Sequence, residues 1–128
     1  MDGLQIARPT SLCILIVEDE LDNALALQFL LQTHGHAVDI ATDAEMALCK
    51  CRSVRYDVLL CDIELPGQLD GYDVARTLRK QSHRPYLIAY SGYSRPQHLA
   101  DSHEAGFDEH IVKPAGLSQI LAALQRCR

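Results

Sequence analysis

Several residues able to ligate a metal or attack an electrophile stand just beyond short apolar runs. Glu18 and Asp19 follow Cys13-Ile14-Leu15-Ile16-Val17, and Asp62 follows Leu59-Leu60-Cys61. Ser91 ends the run that starts at Tyr86, and Lys113 follows Ile111-Val112. Brought together, three carboxylates would repel one another. Two charges ~4 Å apart cost on the order of 4 kcal/mol at an effective dielectric of about 20. A hard divalent cation with oxygen ligands offsets that repulsion, and Mg²⁺ needs only one or two carboxylates and a carbonyl because it keeps several waters. A lysine is a compact charge that reaches a carboxylate or a phosphoryl oxygen. A hydroxyl hydrogen-bonds the same oxygen. An Asp nucleophile, a divalent metal, a lysine and a hydroxyl together suit phosphoryl transfer to a carboxylate.

Whether these residues meet depends on the elements that carry them. Residues 12–17 are continuously apolar and rich in β-branched side chains, the pattern of a strand buried on both faces. Residues 22–34 place Leu25, Leu27, Phe29, Leu30 and Leu31 at helical period, and Gly35 stands at the helix stop. A second strand is expected over 37–41. Thr42-Asp43-Ala44-Glu45 reads as a capping box for a helix to about Arg52. A third strand spans 58–61. Pro66 and Gly67 forbid its continuation past Asp62. A helix over about 72–81, a strand over 86–90, and a helix from the capping box Ser94-Arg95-Pro96-Gln97 to Gly106 follow. A fifth strand spans 109–112, and Leu117, Ile120, Leu121 and Leu124 form the stripe of a last helix.

Strands alternating with helices imply a parallel sheet covered on both faces, with right-handed crossovers. The expected fold is α/β: a doubly wound, five-stranded parallel sheet, flavodoxin-like (βα)5, of strand order 2-1-3-4-5. All strands then point the same way. Glu18, Asp19, Asp62, Ser91 and Lys113, from four separate strand ends, fall along one carboxyl edge, where open α/β sheets bind ligands.

Composition narrows the function classes. A chain of 128 residues makes one domain, expected over 12–128, with residues 1–11 as a polar, disordered leader or the remnant of a longer protein. A net charge of −5 argues against direct nucleic-acid binding, which needs a basic face. No run approaches the ~20 apolar residues of a membrane span, and no secretory signal opens the chain. The five cysteines read as reduced thiols used as small apolar residues, pointing to the cytoplasm. The six histidines show no metal-ligand spacing.

The motifs together carry a resemblance. Ile14-Leu15-Ile16-Val17-Glu18-Asp19-Glu20, Asp62-Ile63-Glu64-Leu65-Pro66 with Asp70-Gly71, Ala89-Tyr90-Ser91-Gly92-Tyr93, and Gly106-Phe107-Asp108-Glu109-His110-Ile111-Val112-Lys113-Pro114 stand in this order. The chain, from about Leu12 to Leu124, resembles a response-regulator receiver domain of two-component signalling. The resemblance implies that Asp62 accepts a phosphoryl group from a histidine kinase or histidine phosphotransfer domain. It implies that Asp19, Asp62 and the backbone carbonyl of Glu64 hold Mg²⁺ (or Mn²⁺), with Glu18 assisting through water. Ser91 would be the switch hydroxyl, Lys113 would pair with a phosphoryl oxygen, and Pro114 would fix the loop behind it through a cis bond. A downstream protein target would read a shape change in the last strand and its flanking helices.

Three positions depart from the family pattern. Glu18 stands where Asp is commoner. Gly67-Gln68-Leu69 carries one extra loop residue. His110 replaces the Tyr or Phe frequent three residues before the lysine, making a switch there pH-sensitive or absent. The motif flavours hint at receivers fused to hybrid histidine kinases, and the chain is a single-domain regulator or a piece of a larger protein. Two other classes compete. One is a receiver-like interaction module that is never phosphorylated. The other is an aspartyl-phosphate phosphatase with Glu64 as general acid, for which the chain lacks a cap domain. On the leading reading the chain catalyses its own phosphorylation and hydrolysis without being a turnover enzyme. The charge on Glu64 is expected to affect how readily water reaches the phosphoryl group. Arg95 and Arg126-Cys127-Arg128 are expected to be merely solvated.

Overall fold

The computed structural model describes residues 11–92 and 96–127. Its elements are β1 (Cys13–Val17), α1 (Leu21–Thr33), β2 (Ala37–Ala41), α2 (Ala44–Ser53), β3 (Val58–Cys61), α3 (Gly71–Leu78), β4 (Tyr86–Ser91), α4 (Pro96–Ala105), β5 (Glu109–Val112) and α5 (Leu117–Arg126). The sheet order is β2-β1-β3-β4-β5, and every pairing is parallel. This is the doubly wound arrangement expected from the alternation of strands and helices. The register sets Val17 level with Ala41 and Cys61, Cys61 level with Ala89, and Ser91 level with Val112.

The all-apolar strands are the central ones. The four residues of β3 are buried, and β1 is buried from Ile14 on. Each face has its own core. Leu15, Val17, Leu59, Leu87 and Ala89 pack under α2, α3 and α4 through Ala47, Val74, Ala75, Leu78 and Ala105. Ile14, Ile16, Leu60, Ile88 and Ile111 pack under α1 and α5 through Ala24, Leu31, Ile120, Ala123 and Leu124. Alternate residues of one strand thus serve opposite cores, as a period of two requires.

Three local expectations are corrected. The helical apolar pattern of α1 suggested burial of Leu25, Phe29 and Leu30, yet these are 46%, 66% and 40% exposed. The sheet covers only one face of the helix, which Ala24 and Leu31 fill. Helix α2 is capped by Asp43, not Thr42: the Asp43 carboxylate accepts from the Met46 amide at 2.7 Å. Helix α3 ends at Leu78, before Gln81, and has a capping box that the sequence reading missed. Asp70 accepts from the Asp73 amide, and the Asp73 carboxylate accepts from the Asp70 amide. Two carboxylates play the parts usually taken by Ser or Thr and Glu. Gly35 and Gly106 follow α1 and α4 at φ +91 and +120, where a side chain would be strained. Helix α4 starts at Pro96, as expected. Residues 1–10, 93–95 and 128, with the expected leader, the capping residue Ser94, Arg95 and Arg128, lie outside the described residues.

At the amino end of the sheet, Arg126 is more than solvated. It forks onto the Glu109 carboxylate at 2.7 and 2.8 Å, and the Tyr86 hydroxyl donates to the same carboxylate at 2.6 Å. Burial and this bond push the Tyr86 phenol up to about 12.

Candidate functional site

Each strand end presents its side chain because the backbone beyond it is held by its neighbour. The Glu18 amide donates to the Ala41 carbonyl, the Asp62 amide to Val17, and the Lys113 amide to Ser91, each at 2.9 Å. These bonds set the ends of β1, β3, β4 and β5 into one row. The Lys113–Pro114 peptide is cis, as the resemblance implied.

The row is an acidic pocket closed by a lysine. Carboxylate oxygens of Glu18, Asp19 and Asp62 lie within 4.8 Å of one another. Lys113 Nζ donates to Glu18 Oε1 at 2.8 Å and to Asp62 Oδ2 at 3.2 Å. The Glu18 carboxylate is buried and also accepts the Glu20 amide through Oε2 at 3.2 Å. Asp19 is exposed. Asp62 Oδ1 accepts the Glu64 amide at 3.2 Å, because the chain folds back immediately after the strand. Glu64 itself is exposed.

The electrostatics follow from this geometry. Burial pushes the Asp62 carboxyl above its ordinary value, against the opposing pull of Lys113. Burial alone would lower Lys113, but its bonds to Glu18 and Asp62 outweigh it and hold the ammonium above its ordinary value. Lys113 is therefore charged at neutral pH. Three hard oxygen donors at this spacing, only partly neutralised by one ammonium, fit a hard divalent cation such as Mg²⁺.

Of the other expected residues, Ser91 is buried at the end of β4, two residues beyond Ala89, which is level with Cys61. His110 stands lower, paired with Ala89 inside β5, so it is a strand residue three positions before Lys113. Pro114 follows Lys113 in the wall of an apolar cavity between α1 and α5.

Two contributors escaped the sequence reading. Tyr90 lies with its ring centre 5.1 Å from Lys113 Nζ, a cation–π contact. In the sequence it looks like any strand aromatic. Gly71 lies against the acceptor's backbone: its amide donates to the Ile63 carbonyl at 2.8 Å, and a Cβ there would collide with the Asp62 carbonyl oxygen. The Asp70-Gly71 pair was the available signal, since a glycine opening a helix often marks a close approach.

A parallel (βα)5 sheet with three carboxylates and a lysine on its carboxyl edge defines a doubly wound α/β domain with a cation-binding acidic pocket, and comparison with known proteins narrows the class. Residues 14–125 match the family described as Response regulator receiver domain. The transcriptional regulatory protein ResD of Bacillus subtilis is 33% identical over 101 residues, which are 79% of this chain and 41% of that protein. Among solved structures, the response regulator TrrA of Thermotoga maritima, in complex with Mg²⁺-BeF, is 32% identical at a TM-score of 0.80, covering 91% of this chain and 98% of that one. The receiver domain of the sensor histidine kinase PA1611 of Pseudomonas aeruginosa, with a magnesium ion in its active-site cleft, is 29% identical at a TM-score of 0.82, covering 91% and 97%. The chain belongs to the response-regulator receiver domain family. It spans about half the length of the curated relatives it matches. Among the described residues, no helix is long and apolar enough to cross a membrane.

Proposed function

We propose that Asp62 is the phosphoacceptor of a histidine-to-aspartate relay. The observation that carries this reading is the Asp62 carboxylate at the end of β3, bonded by Lys113 and flanked by Glu18 and Asp19. An Asp62 oxygen attacks the phosphorus of a phosphohistidine. The new P–O bond forms as the P–N bond breaks, and the electron pair leaves with the imidazole nitrogen. Lys113, already within hydrogen-bond reach of Asp62, follows the negative charge onto a phosphoryl oxygen. Ser91 supplies a hydroxyl donor to another. Asp19, Asp62 and the Glu64 carbonyl would hold Mg²⁺ with Glu18 assisting, and the bound ion would neutralise charge on the transferring group. Water attack on phosphorus later restores the carboxylate and releases phosphate. The domain is thus its own catalyst and not a turnover enzyme.

The donor is a sensor kinase or histidine phosphotransfer domain. Support comes from α1, where Leu21, Leu25 and Phe29 are spaced four apart and exposed by 51%, 46% and 66%. Such a stripe beside Glu18 and Asp19 suits the apolar face of a partner helix carrying the phosphohistidine. The likeness to the PA1611 receiver, which belongs to a sensor histidine kinase, favours membership of a hybrid kinase, and the likeness to ResD, a transcriptional regulatory protein, favours a response regulator separate from its kinase. In either setting the domain acts in the cytoplasm on a protein target and touches no nucleic acid itself.

The test is incubation with a small phosphodonor and Mg²⁺, followed by intact-mass measurement. One acid-stable, base-labile phosphoryl adduct, lost in Asp62→Asn, is expected. No adduct would favour a silent interaction module. Multiple turnovers on a phosphomonoester would favour a phosphatase with Glu64 as general acid.

A further inference from the structure

The charge of this chain is distributed unevenly. Residues 50–56 and 76–85 contain Lys50, Arg52, Arg55, Arg76, Arg79, Lys80 and Arg84, seven of the twelve Lys and Arg, and no Asp or Glu. The chain as a whole carries −5. The two segments are the carboxyl ends of α2 and α3 with the turns that follow, so both lie at the end of the sheet opposite Asp62. They converge on a cleft of about 370 Å³, walled by Arg52, Ser53 and Arg55 from one segment and Gln81, Ser82 and His83 from the other.

Part of this charge has an ordinary explanation. Lys50 and Arg52 lie in the last turn of α2 and Arg76 in that of α3, where cations complement the helix dipole. Arg76 pairs with Asp73, and Arg84 forks onto Asp108. Arg79 donates to the Glu104 carbonyl. Arg55, Lys80 and His83 lie beyond the helices and outside that explanation. Among the described residues, Arg52 and Arg55 make no ion pair and no Asp or Glu lines the cleft. Asp57, the carboxylate next in sequence, is bonded to the Cys13 amide. Arg52, Arg55, Ser53, Ser82, His83 and Gln81 thus line a space the size of a small ligand, and no carboxylate stands among the residues that line it.

We propose that this cleft binds a multiply charged phosphate ligand, an inorganic oligophosphate or the phosphate tail of a nucleotide. Guanidiniums fork onto phosphate oxygens, and the hydroxyls of Ser53 and Ser82 supply further donors. The lining is mainly polar, so the phosphates rather than an apolar body provide the affinity. The site lies across the sheet from the phosphoacceptor, which leaves the acidic edge free for the relay.

The experiment is an amide-resolved NMR titration of the full chain with tripolyphosphate and, separately, ATP, at low salt and without divalent metal. Saturable shifts centred on residues 52–55 and 81–83, weakened about tenfold or more in the Arg52→Ala/Arg55→Ala double variant, are expected. Tighter binding of ATP than of tripolyphosphate would identify a nucleotide, and equal binding a phosphate chain. Asp62→Asn should bind as the unaltered chain does. The proposal fails if neither probe gives saturable shifts, or if the double variant responds equally. It also fails if an oligoglutamate binds as well, since the cleft would then be a generic anion surface. Both replaced arginines are exposed, so the double variant keeps the fold, which its amide spectrum reports directly.

Discussion

Substituting Gly71 by alanine tests whether the acceptor's position depends on a backbone contact behind it. The added Cβ would collide with the Asp62 carbonyl oxygen and sit 2.7 Å from Ile63 Cα and 3.1 Å from the Asp62 carbonyl carbon. Those are backbone atoms, and the second contact is roughly 0.7 Å short of ordinary van der Waals distance. Either the turn 62–64 or the start of α3 must move. Alanine also favours the helix, by about 1 kcal/mol over glycine. Overpacking a tight site costs about 1–3 kcal/mol. The clash outweighs the propensity gain, so a net loss of roughly 1–2 kcal/mol is expected. With a urea slope of about 1–3 kcal/mol/M, the midpoint falls by on the order of 0.5–1 M. The functional effect is larger, because displacing a reacting group by about 1 Å can cost 10²-fold. Phosphorylation of Asp62 by a small phosphodonor, followed by intact mass, should slow at least tenfold. A Gly71→Ala chain as stable as the parent and phosphorylated at the parent rate would refute the reasoning.

Further outcomes follow from the same geometry. Lys113→Met removes the cation bonded to Glu18 and Asp62, so Mg²⁺ should bind several-fold more tightly by calorimetry while phosphorylation slows more than tenfold. Leu25→Asp/Phe29→Asp should leave the urea midpoint nearly unchanged, since both residues are exposed, and leave phosphorylation by a small donor intact while slowing transfer from a protein phosphohistidine. Two carboxylates contribute to the acid limb of stability. Burial alone would raise Asp108, but bonds from Arg84 and the Leu87 amide outweigh it and hold it below its ordinary value. The fork from Arg126 does the same for Glu109. Because both are depressed in the folded state, their stabilisation is complete above the ordinary carboxylate range near pH 4 and is lost as pH falls through the folded values. Asp108→Asn should therefore lower the urea midpoint at pH 7 and flatten its fall between pH 5 and pH 2, relative to the parent.

Much of the site is legible in the amino-acid sequence. Apolar runs of four to six residues ending on Glu18, Asp62 and Ser91, with the shorter Ile111-Val112 before Lys113, mark buried strands and their carboxyl ends, and the parallel sheet places those ends on one edge. What escaped were features whose evidence lies outside the local pattern. Asp43 and Thr42 are both good caps, and only the path of the backbone into α2 chose Asp43. The outward stripe of α1 has the same period as its inward one, and only the area of sheet available decides which leucines are covered.

The sequence by itself determined the kind of fold and the chemistry of its carboxyl edge. Strand and helix periods are local properties, and a parallel sheet admits few ways to arrange them. Tertiary structure decided how far apart the charged groups sit and what stands behind them. It brought Lys113 between Glu18 and Asp62, laid Tyr90 against its ammonium, and set Gly71 against the acceptor's carbonyl. It also gathered Arg52, Arg55 and His83 into one cleft. Those relations join residues some twenty to ninety-five positions apart in some cases, and fewer than ten in the case of Gly71. Each depends on register and packing summed over the whole domain, which no window of sequence contains.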